Sequence, residues 1–221
     1  MPLKFLISAT NPGAGKTMVG CALAFAFKVR AMRVGVMKPV ETGCAERGGE
    51  LIAEDGASLR AAASSDDPLE LITLYRYRSA LAPAAAAAID GAAAPERAHI
   101  VGAYHQIAAH SDVVIVEEAG GLGAQINWGW NYADLACDLG LELVLVVADR
   151  PGFIGAAAIT IDYAARRGIP VRGCILNSRE RDAADSAGRN AEFLSRTTGV
   201  PCLGAIRFKE PLALNIVERL L

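Results

Sequence analysis

A mostly parallel α/β sheet with helices on both faces is the fold class this sequence predicts, and three observations carry it. Apolar runs of strand length alternate with longer segments at helical spacing. Two of the runs, Ser111–Glu117 (SDVVIVE) and Leu143–Ala148 (LVLVVA), are apolar on both faces. The first run passes through a glycine-rich turn straight into a helix. A strand that is apolar on one face only suits an antiparallel sheet with a wet side, whereas continuous Val/Ile/Leu runs need cover above and below.

In chain order, strands are expected at Leu3–Ser8, Arg33–Lys38, Ser111–Glu117, Leu143–Ala148, Val171–Asn177 and Cys202–Ile206. Helices are expected at Lys16–Val29 and over roughly 96–109, 153–167 and 184–197. Ala82–Ala94 (APAAAAAIDGAAA) reads as a small-residue helix packed closely on a neighbour and ended by a turn at Asp90-Gly91. No Gly/Ser-rich or charged linker and no internal repeat divides the chain, so residues 1–221 are expected to form a single P-loop-type α/β domain.

Composition excludes several functions. A hydrophobic share of 52% with 21% charged residues is that of a globular chain, and a net charge of −2 offers nothing to attract nucleic acid or an anionic membrane surface. The opening MPLKFLIS is too short for a signal peptide, and no window approaches the roughly 18 apolar residues that cross a bilayer, so a cytoplasmic location is expected. Cys21, Cys44, Cys137, Cys174 and Cys202 are odd in number and far apart, which predicts buried reduced thiols rather than disulfides or a zinc site.

The most informative stretch is Ser8-Ala9-Thr10-Asn11-Pro12-Gly13-Ala14-Gly15-Lys16-Thr17, placed after the first strand and opening the first helix. Glycines at 13 and 15 let backbone N–H groups turn toward phosphate oxygens, and the helix N-terminus adds partial positive charge. Lys16 can reach the β- and γ-phosphates of a nucleotide, and Thr17 can offer its hydroxyl to Mg²⁺. The strict pattern GxxxxGK[ST] fails because residue 10 is Thr. The second lysine that partition and septum-site ATPases carry before the glycines is absent too, since Asn11 holds that place.

Mg²⁺ takes hard oxygen ligands, and open α/β sheets collect ligands at the C-terminal ends of their strands. Glu117 ends the strand VVIVE before Glu118-Ala119-Gly120-Gly121, a Walker B-like placement, and Asp55 after a polar loop is a second candidate. Lys38 ends the second strand, in VMKPVETG, and faces the same rim; Thr42 follows four residues later.

Taken together these segments resemble dethiobiotin synthetase, the ATP-dependent carboxylase of biotin synthesis, in order and spacing over most of the chain. TNPGAGKT is similar to the family loop GTDTxVGKT, MKPVETG to YKPVxSG, and VEEAGGL to VEGAGGL; ADLACDLGLELVLVV, ILNSR and PCLGAI follow in family order. The resemblance implies a parallel sheet of about seven strands and a homodimer. It implies nucleotide binding by Gly13, Ala14, Gly15, Lys16, Thr17, Met18 and Asn177, with Asn177 on adenine. It implies Mg²⁺ on Thr17, Asp55 and Glu117, a diamine substrate held by Lys38, Thr42, Gly120 and Gly152, and catalytic roles for Lys16 and Lys38. The implied reaction joins 7,8-diaminononanoate and CO₂ with ATP to form a ureido ring.

Several positions depart from the family pattern. The family's Asp-Thr is Asn11-Pro12, its Gly after the metal acid is Glu118, its Gly-x-x-Asn-His helix start ends in Gly155-Ala156, and the Pro after the last strand is Arg207. These changes fall on the diamine side more than on the ATP side. They leave open a diverged ligase or amidase acting on another amine or carboxylate, a nucleotide-dependent switch ATPase, or a degenerate protein that only binds nucleotide.

Overall fold

The computed structural model describes residues 2–178, 187–207 and 215–221. In chain order, β1 (Leu3–Ala9), α1 (Lys16–Val29) and β2 (Val34–Met37) come first. A region of short elements follows: β3 (Val40–Thr42), β4 (Ala45–Arg47), β5 (Glu50–Ile52), α2 (Glu54–Ala63), α3 (Leu69–Ile72), β6 (Tyr75–Tyr77) and α4 (Pro83–Asp90). Then come α5 (Arg97–Ala108), β7 (Val113–Glu117), β8 (Gln125–Asn127), β9 (Trp130–Asn131), α6 (Tyr132–Leu139) and β10 (Glu142–Ala148). The chain finishes with α7 (Phe153–Arg166), β11 (Val171–Ser178), α8 (Ala187–Thr198), β12 (Cys202–Arg207) and α9 (Asn215–Glu218).

Six strands form one sheet in the order β12-β11-β10-β1-β7-β2, and every pairing in it is parallel. That is one strand fewer, among the described residues, than the roughly seven the resemblance implies. The short β3 and β6 pair with each other in a separate parallel sheet, and β4–β5 and β8–β9 form two small antiparallel ones. The order reverses at β1, which has β7 on one side and β10 on the other, so the crevice at its C-terminal end is where such a sheet collects ligands.

Alternate residues of the central strands enter two separate cores, which is why these strands read as apolar throughout. Leu6, Val114, Val116, Leu143, Leu145 and Val147 belong to one core, packed by Ile100 and Ile107 of α5, Leu135 of α6 and Ile161 of α7. Phe5, Ile7, Ile115, Val144 and Val146 belong to the other, packed by Val19, Leu23 and Phe27 of α1 and Leu59 of α2. Each such side chain, fully removed from water, contributes about 1.5–3 kcal/mol, so the sheet floor under the crevice is the rigid part of the molecule.

The alanine-rich segment forms α4, with Pro83 at its start, Gly91 ending it at φ 61°, and Ala84, Ala86 and Ala87 buried. Its small side chains are thus spent inside the chain's own core. The helix expected over 184–197 begins at Ala187 in the described residues; 184–186 lie outside them. All five cysteines are free, but only Cys44 and Cys174 are buried, while Cys137 on α6 is exposed. Burial pushes the Cys174 thiol up to about 12, which keeps it a packing group. Among the described residues no helix is long and apolar enough to cross a membrane.

Candidate active site

The turn between β1 and α1 has the backbone the glycines predict. Gly13 and Gly15 lie in the left-handed region, at φ 75° and 91°. Gly15 is the N-cap of α1, whose first turn carries no acidic residue and no side-chain cap, so its leading N–H groups stay available to an anion. Ala14 is buried, and its carbonyl accepts from Asn177 Nδ2 at 2.6 Å; Met18 is exposed in the first turn. Asn177, buried at the end of β11, therefore ties the loop to the sheet, while its Oδ1 is buried with no partner among the described residues.

Thr17, Lys38, Asp55 and Glu117, which are far apart in sequence, meet beside this loop. Glu117 Oε1 accepts from Thr17 Oγ1 at 2.9 Å and from Lys38 Nζ at 2.5 Å. Lys38 Nζ also lies 3.2 Å from Asp55 Oδ2 and donates to the Glu118 carbonyl at 3.3 Å. Glu117 ends β7, Lys38 follows β2, and Thr17 opens α1; the parallel register brings all three to one edge. Burial by itself would lower the Lys38 ammonium, but Glu117, Asp55 and Glu118 around it hold its pKa well above the ordinary lysine value, so it stays charged. Burial pushes the Glu117 carboxyl up, and Lys38 opposes that shift.

Lys16 lies 3.4 Å from Glu118 Oε1. That carboxylate is wholly buried, and it accepts from Ala9 N at 3.3 Å, from Ser8 Oγ at 3.4 Å and from the backbone N–H of Gly121.

One supporting residue has no counterpart in the sequence reading. Glu41, in β3, is buried, and its two oxygens accept from the N–H groups of Asp55 at 2.9 Å and Gly56 at 3.0 Å. The N-cap of α2 is Ala53, which has no side-chain oxygen, so Glu41 caps the helix from outside and fixes Asp55 beside Lys38. A carboxylate acting across 14 residues gives no local pattern; its only trace is its place in the VETG segment.

The remaining expected residues line the rim without joining this cluster. Thr42 ends β3, half-buried. Gly120 has φ 98°, and a Cβ on it would come within 3.1 Å of Ala124 Cβ. Gly152 caps α7 at φ 88°, and a Cβ on Gly152 or Gly155 would meet nothing within 4 Å, so the start of that helix is open at both glycines, while Ala156 is half-buried. With its amide oxygen turned to Arg150, Asn11 accepts from that guanidinium (Nε at 3.3 Å); Pro12 beside it is exposed. Arg207 ends β12, and its side chain lies outside the described residues.

The donors suit a hard divalent cation such as Mg²⁺. Glu117 Oε2 is buried with no hydrogen-bond partner among the described residues, next to a threonine hydroxyl and within reach of the Asp55 carboxylate. Among the described residues no three His, Cys, Asp or Glu side chains form a metal cage. Mg²⁺ does not require one, since it binds through one or two carboxylates, water and substrate phosphate.

Comparison with known proteins covers nearly the whole chain. Residues 4–214 match the family model described as AAA domain. The chain is 38% identical over 205 residues to ATP-dependent dethiobiotin synthetase BioD of Aromatoleum aromaticum, covering 93% of this chain and 90% of that one. It is 35% identical over 208 residues to the protein of that name from Anaeromyxobacter dehalogenans (94% and 87% covered) and 32% identical over 216 residues to the one from Thermodesulfovibrio yellowstonii (94% and 90%). In fold it is similar to a ParA family ATPase from Chlorobium tepidum TLS, with a TM-score of 0.54 at 19% identity over 98% of this chain and 88% of that one. The chain belongs to the ATP-dependent dethiobiotin synthetase family.

Proposed function

We propose that this chain is itself a dethiobiotin synthetase that uses Mg²⁺ and ATP to close the ureido ring of dethiobiotin from 7,8-diaminononanoate and CO₂. One observation carries the reading: Thr17 of the phosphate loop and Lys38, directly after the second strand, share a single oxygen of Glu117, at 2.9 and 2.5 Å. Nucleotide side and substrate side are thereby held at one point.

The chemistry follows from the charges. One amine adds to CO₂ and loses a proton, giving a carbamate. A carbamate oxygen attacks the γ-phosphorus and ADP departs, leaving a carbamic–phosphoric mixed anhydride. The second amine attacks its carbonyl carbon, phosphate leaves, and the nitrogen sheds its proton as the ring closes. Carbamate and triphosphate are both anionic, so the barrier is largely their repulsion. Lys16 at the phosphates and Lys38 at the carbamate offset it, and the rigid strand ends hold the reacting atoms in line. Mg²⁺, held by Thr17, Glu117 and Asp55, would supply charge neutralisation at the phosphates. The carbamate is already an anion, so no general base is assigned. Asn177 Oδ1, unpartnered among the described residues, is an acceptor suited to the adenine amine. Thr42, Gly120 and the open start of α7 at Gly152 are the surfaces for the diamine, and the reading includes a homodimer, checked by sedimentation.

The test is phosphate release by purified protein with ATP, Mg²⁺ and bicarbonate. Release that depends on diaminononanoate, with dethiobiotin identified by mass, is expected. Binding of ATP with no release at millimolar diamine, but release with another amine or carboxylate, would replace this reading by that of a diverged ligase.

A further inference from the structure

Glu118 has no part in the proposed reaction, yet it touches both lysines that the reaction does use. Its carbonyl accepts from Lys38 Nζ at 3.3 Å, and its carboxylate lies 3.4 Å from Lys16 Nζ. The side chain of Glu118 is 0% exposed and that of Lys16 is 13% exposed. Around this crevice two lysines face three carboxylates, Asp55, Glu117 and Glu118. Where the similar segment VEGAGGL has glycine, this chain places a third carboxylate beside Lys16.

The Glu118 carboxylate is held by hydrogen bonds from groups other than the lysine. Ala9 N, Ser8 Oγ and Gly121 N all donate to the carboxylate. A buried carboxylate with three such donors stays solvated by the protein. Lys16 has the opposite standing: it is a long ammonium side chain at the edge of an anion-binding loop, and the structure pairs it with the Glu118 carboxylate. An arriving phosphate must either take Lys16 from Glu118 or share it and bear the repulsion of a second anion a few ångströms away. Both routes weaken phosphate binding, and through low-dielectric surroundings the effect is larger than at an open surface.

We propose that Glu118 is a positioning residue: its buried carboxylate holds Lys16 against the ends of β1 and β7 as an internal counter-ion, and so sets how tightly the β- and γ-phosphates bind. The inference rests on the reading of this crevice as an ATP site. A glycine at 118 would leave Lys16 free to face the loop, and affinity for the triphosphate would be higher.

The experiment is calorimetric titration of the full chain with ATP and with AMP, which lacks the two phosphates Lys16 would meet. In Glu118→Gln, ATP is expected to bind at least fivefold more tightly than in the unmodified protein, AMP to change less than twofold, and the gain to vanish when Lys16→Met is added. Unchanged or weaker ATP binding in a Glu118→Gln protein that keeps its melting temperature overturns the proposal. A purely architectural role would move both nucleotides alike and survive Lys16→Met, which overturns it too. The pairing can also be tested without altering Glu118. Lys16→Met strips the counter-ion from a buried carboxylate and lowers the melting temperature without nucleotide; an unchanged melting temperature overturns the pairing. If the unmodified protein binds no ATP at all, the nucleotide reading falls first and takes this inference with it.

Discussion

Gly15 and Asn177 stand so close that a Cβ on residue 15 would lie 2.1 Å from Asn177 Nδ2, the amide nitrogen that donates to the Ala14 carbonyl. The glycine is required twice over, by this approach and by its φ of 91°. The P-loop is thus latched to β11 through one side-chain amide, and the latch leaves no room for even a methyl group.

Gly15→Ala is therefore expected to break the latch. The strained φ and the clash together cost about 2–4 kcal/mol, and the shifted loop loses nucleotide affinity by more than tenfold. Urea unfolding and ATP titration check the two effects. A variant that binds ATP normally would show that the loop tolerates a different path. Asn177→Ala should loosen the same latch at lower cost, about 1–2 kcal/mol, since it removes a bond and adds no clash.

Thr17→Val separates the metal from the fold. Val nearly matches Thr in shape, and the lost hydroxyl gives up one bond to Glu117, so stability should fall by only about 1 kcal/mol. The hydroxyl is the ligand expected to bring Mg²⁺ to the phosphates. In the unmodified protein, chelating Mg²⁺ should weaken ATP binding by about tenfold or more; in Thr17→Val that dependence should largely disappear. Titrations with and without a chelator measure it, and an undiminished Mg²⁺ dependence would remove Thr17 from the ligand set.

How much of this was legible in sequence follows from the range over which each signal acts. The loop, Lys38 and Glu117 were legible because strand, turn and helix are local patterns, and a parallel sheet sends the ends of successive strands to one rim. The grouping of Thr17, Lys38 and Glu117 follows from that rule, whereas Asp55, at the start of α2, is brought to Lys38 by the Glu41 cap. Glu41 was not legible, because its task is to cap a helix 14 residues away whose own N-cap is Ala53. Glu118 reads in sequence only as an extra charge beside Glu117. Its pairing with Lys16 depends on where β7 ends against β1, where Glu118 N donates to the Ile7 carbonyl at 3.2 Å. The Asn11–Arg150 contact joins two loops with no periodicity in either.

At the opposite end of the sheet, Arg33 and Asp112 predict a part of the acid response. Asp112 accepts from Arg33 Nε at 3.1 Å, from the Arg33 guanidinium NH2 at 2.6 Å and from the Arg33 backbone N–H at 2.8 Å. These bonds hold the carboxyl down to about 2, from an ordinary 3.8. A carboxyl lowered in the folded state stabilises the fold above its unfolded value, and that contribution is lost as pH falls through the folded one. The loss should therefore run from pH 3.8 down to about 2. Carbon-detected titration of Asp112 should show the low value, and Arg33→Ala should return it toward 3.8. A titration near the ordinary value in the unmodified protein would show the pair to be open in solution.

Lys38→Met tests the join between the two halves of the site. Lys38 is buried with Nζ 2.5 Å from the fully buried Glu117, so removing the ammonium leaves a carboxylate without its counter-charge. Losing one partner of such a pair costs about 3–5 kcal/mol, far more than the pair is worth as a whole. Glu117→Gln in the Lys38→Met background should restore about 2 kcal/mol of that loss, because the stranded charge is gone, although the double variant lacks both the lysine and the proposed metal ligand and should turn over no substrate. Urea unfolding of the single and double variants measures the coupling. Additive losses would mean that Lys38 and Glu117 do not depend on each other, and the proposed meeting of nucleotide side and substrate side at one carboxylate oxygen would lose its physical basis.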